Sequence, residues 1–512
     1  MRRIRDDLND TANPTLAQLR DSPAALDDEL ARANLDVRLA EYDSRFFHAR
    51  NPALWTGEAI FSVVALMIRD FAPLGERLRS IAARLNAIPT FLAPMPGTII
   101  DEIPHQWVLR AQHECSAADG LFDRGLDAWL HANDVATETA VKVLIAAERA
   151  RAAFRSTGAW LATLPTAPDA ICAVGATMFT TLLRRGHFCQ DDPLVLLAEA
   201  LAQLPIEQQR LETMAAAAGG SMEQVQAAMA ADHPTVEDYY ATFHRRWSDC
   251  HRIAAEHDAV TWPVWPIRYV PIPSWAAEFA PQLYWLFYRS PAPFDPYDVY
   301  EYVVTPIDAS MPETEQEKRL RAWNHSTITL NHVVHHGAVG HHVQNAHARL
   351  VAKSRIGRIA ATDCASRIAM FLGGSMAEGW ACYATQLMEE LGMLTPLEVV
   401  SEQHTRVRML ARAIVDIRLH LGLFTLAAAV RYYQDVVGMS AEVATAETTK
   451  NSMFPCTALM YWLGTTRILS LRETVKQVRG MQFSMREFHD ELLSRGAIPV
   501  PLAATLMTES FA

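Results

Sequence analysis

The sequence predicts a mainly α fold that is interrupted by one small strand-and-loop segment. Most of the chain is rich in Ala, Leu, Arg, Glu and Met, and apolar residues recur at helical spacing, as at Phe122, Leu126 and Leu130. Sustained alternation of apolar and polar residues, which is typical of strands, is rare. Residues 262–306 differ, because this stretch is aromatic, β-branched and rich in proline. We expect two or three short strands and long loops there.

Helix boundaries can be read near the start of the chain. The segments NPTLAQLR and SPAALDDELARANLDVRLAEYD carry helix-start signals. The apolar run AIFSVVALMI, at residues 59–68, is about half as long as a bilayer-spanning helix and therefore predicts a buried helix. Prolines in residues 87–98 predict a break, and AAAAGGSM at residues 215–222 predicts a loop or hinge. From about Glu313 the helical pattern returns and continues to the end.

Three regions are expected along the 512 residues. Residues 1–260 form an N-terminal helical region and residues 261–310 form the aromatic strand-and-loop segment. Residues 311–512 form a helical catalytic region that contains the metal site. Although this length corresponds to about three domain-sized units, helical enzymes often form one continuous body, and we expect that arrangement here.

Composition restricts the partners and the compartment. The 46 Lys and Arg residues against 58 Asp and Glu residues give a net charge of −12, which argues against a nucleic acid partner. The N-terminal sequence MRRIRDDLNDTANP lacks the apolar stretch of a signal peptide, so we expect a cytoplasmic protein without a membrane partner. No pattern indicates the oligomeric state. Single thiols in a reducing compartment are expected at Cys115, Cys172, Cys189, Cys250, Cys364, Cys382 and Cys456.

One short segment concentrates residues that carry chemistry. Residues 331–349 read NHVVHHGAVGHHVQNAHAR and contain six of the chain's 19 histidines. Imidazole is the commonest protein metal ligand and titrates near neutral pH, so this cluster predicts a metal site or an acid/base site. The six residues are His332, His335, His336, His341, His342 and His347.

The spacing of these histidines leaves two ligand pairs open. His332 and His336 lie four residues apart and share one face of a regular helix. His335 and His341 lie six residues apart, about 240° around a continuous helix, so they can share one ion only if the backbone breaks between them. Two glycines make such a break tolerable, Gly337 and Gly340.

A carboxylate from a following helix would complete a typical catalytic zinc site. Glu378 is the best candidate, because it lies in the otherwise apolar stretch GGSMAEGWACYATQLMEELG. An isolated buried charge costs several kcal/mol, so this carboxylate needs a partner. A metal ion is the favoured partner, and a core arginine such as Arg412 is the alternative.

Several segments together resemble the bacterial domain-of-unknown-function family eight-eight-five (DUF885). The likeness covers most of the chain and is most specific in VVHHGAVGHHVQ, MAEGWACYATQLMEELG, RAIVDIRLH and FPCTALMYWLG. That family is related in fold to zinc metallopeptidases of the HExxH type. The resemblance therefore implies a mainly α, large multi-helix, zincin-like metallopeptidase fold with a small strand-and-loop segment.

The same resemblance implies a site. His335, His341 and Glu378 would hold Zn²⁺, or another divalent transition metal, and His420 and Tyr461 would stand near the carbonyl oxygen of the substrate. His420 also follows Asp416 by four residues, a spacing that lets a carboxylate orient an imidazole, although a core histidine has the same pattern.

The chain departs from the family pattern at two positions. The family has a glutamate after the first histidine, which polarises the metal-bound water, and this chain has His336 there. The family has a proline before Gly340, and this chain has Val339, which restores a backbone N–H. The break can therefore move, and His332 with His336 becomes a rival ligand pair.

Three interpretations of His336 follow. As a base, its neutral imidazole takes a proton from metal-bound water whose pKa is lowered to about 7. As an additional ligand, it creates a nitrogen-rich site suited to iron, nickel, copper or manganese. In the third interpretation catalysis is lost and the fold is kept for binding.

The sequence therefore favours a metal-dependent hydrolase, a peptidase-like enzyme with an atypical base. Metal-activated water would attack an amide, ester or carbamate carbonyl of a small molecule or short peptide. The alternatives are a non-hydrolytic metal-dependent enzyme and a noncatalytic metal-binding protein. The expected catalytic residues are His336, His420 and Tyr461, and the expected metal ligands are His335, His341 and Glu378.

Overall fold

A computed structural model describes residues 14–99, 102–167, 172–283, 288–293, 300–361 and 368–509. The chain is mainly helical, as the sequence predicts. The α-helices are α1 Leu16–Asp21, α2 Pro23–Asp43, α3 Pro52–Met67, α4 Leu74–Leu92, α5 Met95–Thr98, α6 His105–Gly120, α7 Leu126–Ala132, α8 Thr137–Leu161, α9 Ala176–Thr181, α10 Pro193–Ala217, α11 Met222–Ala231, α12 Tyr239–Glu256, α13 Ser274–Ala277, α14 Glu313–Ala322, α15 His325–Thr327, α16 His341–Leu350, α17 Arg355–Ile359, α18 Ile368–Phe371, α19 Gly374–Glu390, α20 Pro396–His420, α21 Leu426–Val437, α22 Ala441–Met453, α23 Met460–Arg479, α24 Met485–Leu493 and α25 Val500–Thr508.

Shorter elements connect these helices. The π-helical segments are Leu121–Gly125, Leu182–Gly186 and Ile328–Gly337, and the 3₁₀ turns are Ala280–Gln282 and Gly480–Gln482. The strands are β1 Ile103–Pro104, β2 Thr166–Ala167, β3 Ile267–Pro271, β4 Tyr288–Arg289 and β5 Tyr300–Val304. The longest π-helical segment carries part of the histidine cluster.

The predicted helix starts near the N-terminus are confirmed. The hydroxyl of Ser22 caps α2 by accepting a hydrogen bond from the backbone N–H of Ala25. Helix α3 contains most of the apolar run at residues 59–68 and buries Ile60, Val63 and Val64. Within the described ranges, no helix combines the length and apolarity that a bilayer crossing requires.

The predicted break in residues 87–98 is confirmed, because α4 ends at Leu92 and α5 begins at Met95. Helix α4 continues through Pro89 and ends at Leu92. Although a proline removes one helical hydrogen bond, Ile88 and Leu92 are both buried on this last turn, and their packing retains the helix. The predicted loop at residues 215–222 is confirmed, because α10 ends at Ala217 and α11 begins at Met222.

The aromatic segment forms a three-stranded sheet in the order β3-β5-β4. Strand β3 runs parallel to β5 with Ile267 opposite Tyr300, and β4 runs antiparallel with Tyr288 opposite Tyr302. The predicted short strands are therefore confirmed, while residues 284–287 and 294–299 of this segment lie outside the described residues. The hydroxyl of Tyr302 contacts Nδ1 of His332, which places the sheet against the longest π-helical segment.

Two clusters of buried apolar side chains form the core, and each draws on distant parts of the sequence. Ile60 of α3 and Leu410 of α20 belong to the first cluster, and Leu30 of α2 and Leu492 of α24 belong to the second. The boundaries proposed at residues 260 and 310 stay a prediction. The six described cysteines are buried free thiols, and Cys364 lies outside the described residues.

Candidate metal centre

A backbone break separates the two histidines that the sequence pairs across six residues. His335 lies near the end of the π-helical segment and His341 is the first residue of α16. A Cβ atom on Gly340 would overlap the carbonyl oxygen of His335, so only glycine fits at this position. The N–H of Gly340 donates to the carbonyl of Val334 at 2.9 Å. The predicted break is therefore confirmed.

Two tryptophans bind the carbonyl groups that this break exposes. Nε1 of Trp247 donates to the carbonyl of Gly337 at 2.8 Å, and Nε1 of Trp380 donates to the carbonyl of Val339 at 2.8 Å. Trp380 lies two residues after Glu378 on α19. The same hydrogen bond therefore fixes the break and holds the carboxylate-bearing helix beside it.

The ligand atoms of three histidines converge at the break. His335, His336 and His341 each offer a nitrogen, and these three atoms lie within 4.8 Å of one another. Oε2 of Glu378 lies 3.3 Å from Nε2 of His335 and 3.8 Å from Nε2 of His341. Tetrahedral zinc ligands at 2.0–2.1 Å from the ion are about 3.3–3.5 Å apart. The separation of Glu378 and His335 matches this spacing, and that of Glu378 and His341 is larger than it. The structure thus brings the three expected ligands and His336 together.

The protonation states of the cluster suit metal binding. Burial alone would raise the pKa of Glu378, but the hydrogen bond from His335 and the proximity of His341 lower this pKa below its usual range. Burial lowers the pKa of His341 to about 4, although Glu378 opposes the shift. Burial also holds the pKa of His336 well below its usual value, and the two neighbouring histidines add to this effect. Ionised carboxylate and neutral imidazole are the forms that coordinate metals.

His336 presents one defined nitrogen to the cluster. Its Nδ1 lies 2.5 Å from the carbonyl oxygen of Asn331, and because a carbonyl only accepts, Nδ1 carries the proton. Nε2 therefore keeps its lone pair. A backbone carbonyl commonly orients a metal-bound imidazole in this way, and the same tautomer is required of a base. The geometry leaves both interpretations of His336 open.

Arg412 does not pair with Glu378. Its guanidinium instead binds both carboxylate oxygens of Glu447, at 2.7 and 3.0 Å. The guanidinium carbon also lies 4.8 Å from the ring centroid of Tyr461. The alternative of a core arginine as partner of Glu378 is therefore wrong for Arg412.

Tyr461 lies at the start of α23, where it faces the same cavity as the cluster. Burial raises the pKa of Tyr461 well above its usual value, and the charge of Glu378 raises it further while Arg412 opposes the shift. The phenol is therefore neutral and able to donate a hydrogen bond. The role that the resemblance implies for Tyr461 stays a prediction.

His420 lies in the apolar core and does not line this cavity. Its Nε2 lies 3.0 Å from the carbonyl oxygen of Asn451 and 3.6 Å from Oδ1 of Asp416. The carboxylate of Asp416 accepts the backbone N–H groups of Cys456 and Leu459 instead. Asp416 and His420 therefore bind backbone groups of the core, and the structure does not bring His420 to the histidine cluster.

Three other histidines of the segment bind elsewhere. His332 stacks on Trp323 with ring centroids 4.1 Å apart and contacts Tyr302, so the rival pair of His332 with His336 is not assembled. The remaining two bind backbone carbonyls of the aromatic segment: His342 that of Trp265 at 3.2 Å and His347 that of Thr261 at 2.7 Å.

Sequence reasoning missed two cavity residues. Cys382 follows Glu378 by one helical turn, and its Sγ lies 4.0 Å from Nδ1 of His335. Arg408 precedes Arg412 by one turn on α20. The one-turn spacing from a candidate site residue was the available signal in both cases.

Comparison with known proteins identifies the family. The family model described as "bacterial protein of unknown function (DUF885)" matches residues 1–507. The chain belongs to this family. No curated protein matches it.

Two solved structures resemble this DUF885 protein in fold. One is described as a candidate lipoprotein of unknown function from Shewanella oneidensis; it is 18% identical, has a TM-score of 0.74, and the match covers 99% of this chain and 91% of that one. The other, a candidate lipoprotein from Colwellia psychrerythraea, is 17% identical, has a TM-score of 0.69, and the match covers 88% of this chain and 78% of that one. At these identities the likeness shows the fold alone.

In this DUF885 protein the cluster lies in the wall of a cavity of about 1560 Å³. That volume exceeds the 300–1,000 Å³ typical of small-molecule pockets. The wall includes His335, His336, His341, Glu378, Tyr461 and Arg408. The space therefore accommodates a ligand as large as a short peptide beside the cluster.

Proposed function

We propose that this DUF885 protein is a metal-dependent hydrolase with a zincin-like metallopeptidase fold. Its substrate is an amide, ester or carbamate carbonyl of a small molecule or short peptide. The observation that carries the proposal is the convergence of His335, His341 and Glu378 across a glycine-dependent break, in the wall of a large cavity. Two histidines and one carboxylate form the donor set of catalytic zinc sites that keep one position open. The relation to HExxH peptidases is part of the proposal and rests on the motif resemblance.

The chain's own residues supply proton transfer and oxyanion stabilisation. A zinc ion held by His335, His341 and Glu378 would polarise a carbonyl and lower the pKa of water to about 7. Nε2 of His336 accepts the proton released when water adds to the substrate carbonyl. The neutral hydroxyl of Tyr461 donates a hydrogen bond to the developing oxyanion. His420 has no part, because it does not line the cavity.

The replacement of glutamate by His336 also restricts the bond that is cleaved. Departure of an unactivated amine requires efficient delivery of a proton to nitrogen, the task of the family glutamate. Activated amides, esters and carbamates need less proton delivery to the leaving group. We therefore propose these bonds ahead of ordinary peptide bonds.

A second candidate function follows from the position of His336. Its ligand atom lies within 4.8 Å of those of His335 and His341. Three imidazoles and a carboxylate suit iron, nickel, copper or manganese. The protein would then be a non-hydrolytic metal-dependent enzyme or a noncatalytic metal-binding protein, and the identity of the metal distinguishes the two functions.

The first experiment measures metal content by plasma mass spectrometry in the purified wild type, His341→Ala and Glu378→Gln. We expect about one equivalent of zinc in the wild type and its loss in both variants, because each change removes one of three ligands. The matched control is His342→Gln, which should keep the metal because His342 bonds to the carbonyl of Trp265. Melting temperatures confirm that the variants fold.

Each result has a defined meaning. An absence of metal, or metal that remains in both ligand variants, contradicts the proposed ligand set. Iron, nickel, copper or manganese in place of zinc favours the second function. If zinc is found, a panel of activated amides, esters and carbamates follows, and a lack of turnover on every compound contradicts the hydrolase.

A further inference from the structure

Arg408 projects from α20 into the wall of the cavity that holds the histidine cluster. Its Nε is buried and has no hydrogen-bond partner among the described residues. Burial and the neighbouring charge of Arg412 lower the pKa of Arg408, and the charge of Glu447 opposes the shift. A guanidinium stays charged in proteins, so burial of Arg408 has an unfavourable desolvation free energy. An anionic ligand would offset it.

Two other arginines of α20 form ion pairs. Arg406 forms ion pairs with Glu389 and, at 3.4 Å, with Glu402. Arg412 binds both oxygens of Glu447. In the part of the chain that the structure describes, no carboxylate forms such an ion pair with Arg408.

Arg408 and the cluster line the same cavity. Cys382 also lines it, and its Sγ lies 4.0 Å from Nδ1 of His335. A ligand that fills this cavity can therefore contact both Arg408 and the cluster.

We propose that Arg408 binds a carboxylate of the substrate, so that the cavity takes short peptides or N-acylated amino acids with a free carboxylate. The inference rests on the proposed hydrolase for the carbonyl that reacts at the cluster. A planar guanidinium binds a carboxylate through two parallel hydrogen bonds. One guanidinium without an ion pair among the described residues matches a monovalent carboxylate better than a doubly charged phosphate. Lys450 also lines the cavity, but it is exposed and solvent screens its charge.

Binding without turnover tests this inference. The first probe is a ketomethylene dipeptide analogue with a free carboxylate, and the second is the same compound with a carboxamide in place of the carboxylate. In both probes a carbon–carbon bond replaces the scissile amide bond, so the protein cannot hydrolyse them. Isothermal titration of the metal-loaded wild type should give a dissociation constant about ten-fold or more lower for the carboxylate, as expected for hydrogen bonds between charged groups. In Arg408→Gln the two constants should become equal, and Arg408→Lys should keep part of the preference.

The exposed Arg431 on α21 provides the matched control, since Arg431→Gln removes the same charge away from the cavity. Equal constants in the wild type, a preference that remains in Arg408→Gln, or tighter binding of inorganic phosphate than of the carboxylate overturns the inference. A carboxylate preference without hydrolysis of any substrate contradicts only the hydrolase. Hydrolysis without this preference contradicts only the carboxylate site.

Discussion

At the scale of single residues, the adjacent histidines 335 and 336 both reach the cluster. Neighbouring residues of an α-helix point about 100° apart and rarely serve one site. Here the ring centroids of His335 and His336 lie 4.6 Å apart, and those of His336 and His341 lie 5.2 Å apart. The π-helical segment permits this, because its wider turn places Nδ1 of His336 against the carbonyl of Asn331 five residues earlier.

This geometry gives a prediction for His336→Gln. Glutamine keeps a donor for the carbonyl of Asn331 but cannot act as a base. If His336 is the base, the variant should keep about one equivalent of metal while kcat falls by about 10²–10⁴-fold on an activated ester. His336→Glu should recover part of the rate by restoring the family's carboxylate.

Metal content and kcat are measured on the same preparations. His342→Gln is the control, with unchanged metal content and rate. Loss of metal from His336→Gln would instead identify His336 as a ligand and contradict its role as the base.

The backbone break could be predicted from the sequence because Gly337 and Gly340 are local features, and the motif resemblance indicated that His335, His341 and Glu378 meet there. The position of His420 could not, because a four-residue spacing shows only that two side chains share a helix face. Which neighbour meets that face depends on packing, and here it is α22 at Asn451. Arg408 was missed for the same reason. Whether an arginine forms an ion pair depends on which carboxylates lie on the helices packed against it.

At the scale of elements, the crossing of α19 and α23 sets the width of the site. A Cβ on Gly464 would overlap the carbonyl oxygen of Ser375, and a Cβ on Gly379 would meet the backbone of Gly464. Glu378 immediately precedes the first glycine of this crossing, and Tyr461 precedes the second by three residues. The close approach of the two helices therefore brings the carboxylate and the phenol to one cavity.

Gly464→Ala should force these helices apart. We expect the free energy of unfolding to fall by about 1–3 kcal/mol, as for overpacked cores, and the metal content to fall because Glu378 moves. Urea denaturation and elemental analysis measure the two effects. The matched control is Gly97→Ala in α5, where an added Cβ meets nothing within 4 Å. Equal stability and metal content in Gly464→Ala and the wild type would show that the crossing does not set the site.

Helix starts, the loop after α10 and the short strands could be predicted at this scale because capping residues, glycines and aromatic runs act locally. The exact residue within 87–98 at which α4 ends could not. Pro89 disfavours the helix locally, but Ile88 and Leu92 are buried on this last turn, and that tertiary contact decides the boundary. The zincin-like fold stays a prediction that the motif resemblance supports.

At the scale of the whole molecule, histidines remote from the cluster connect distant segments. His187 bonds to the carbonyl of Cys456 at 2.7 Å, His420 to that of Asn451 at 3.0 Å, and His489 to that of Ala259 at 2.6 Å. Burial lowers the pKa of each of these histidines to about 4, against the opposing effect of the backbone hydrogen bond. Each is therefore neutral in the folded protein at neutral pH.

These shifts predict sensitivity to acid. An unfolded histidine titrates near 6.5, so each contribution is complete above about pH 6.5 and is lost as the pH falls towards 4. Burial raises the pKa of Asp416 and of Glu402 to about 7, which acts in the opposite direction, because the contribution of each carboxyl group is present at low pH and lost as the pH rises through 7. Burial also lowers the pKa of His342 to about 4 and that of His332 to about 3, so the buried histidines outweigh the two carboxyl groups and stability should fall between pH 7.5 and 5.

His489→Gln isolates one of these contributions. The pKa of His489 is about 4 in the folded protein and about 6.5 in the unfolded chain. Its contribution to the free energy of unfolding is therefore smaller at pH 5 than at pH 7.5, by on the order of 2 kcal/mol. The variant should lose less stability than the wild type over this range by that amount, because glutamine takes up no proton on unfolding. Urea denaturation at both pH values measures the difference. The protein is metal-free, so that protonation of the proposed metal ligands affects the wild type and the variant equally. The exposed His131 gives the control, and His131→Gln should match the wild type at both pH values. An equal loss of stability in His489→Gln and the wild type would mean that burial of this imidazole does not contribute to the acid sensitivity.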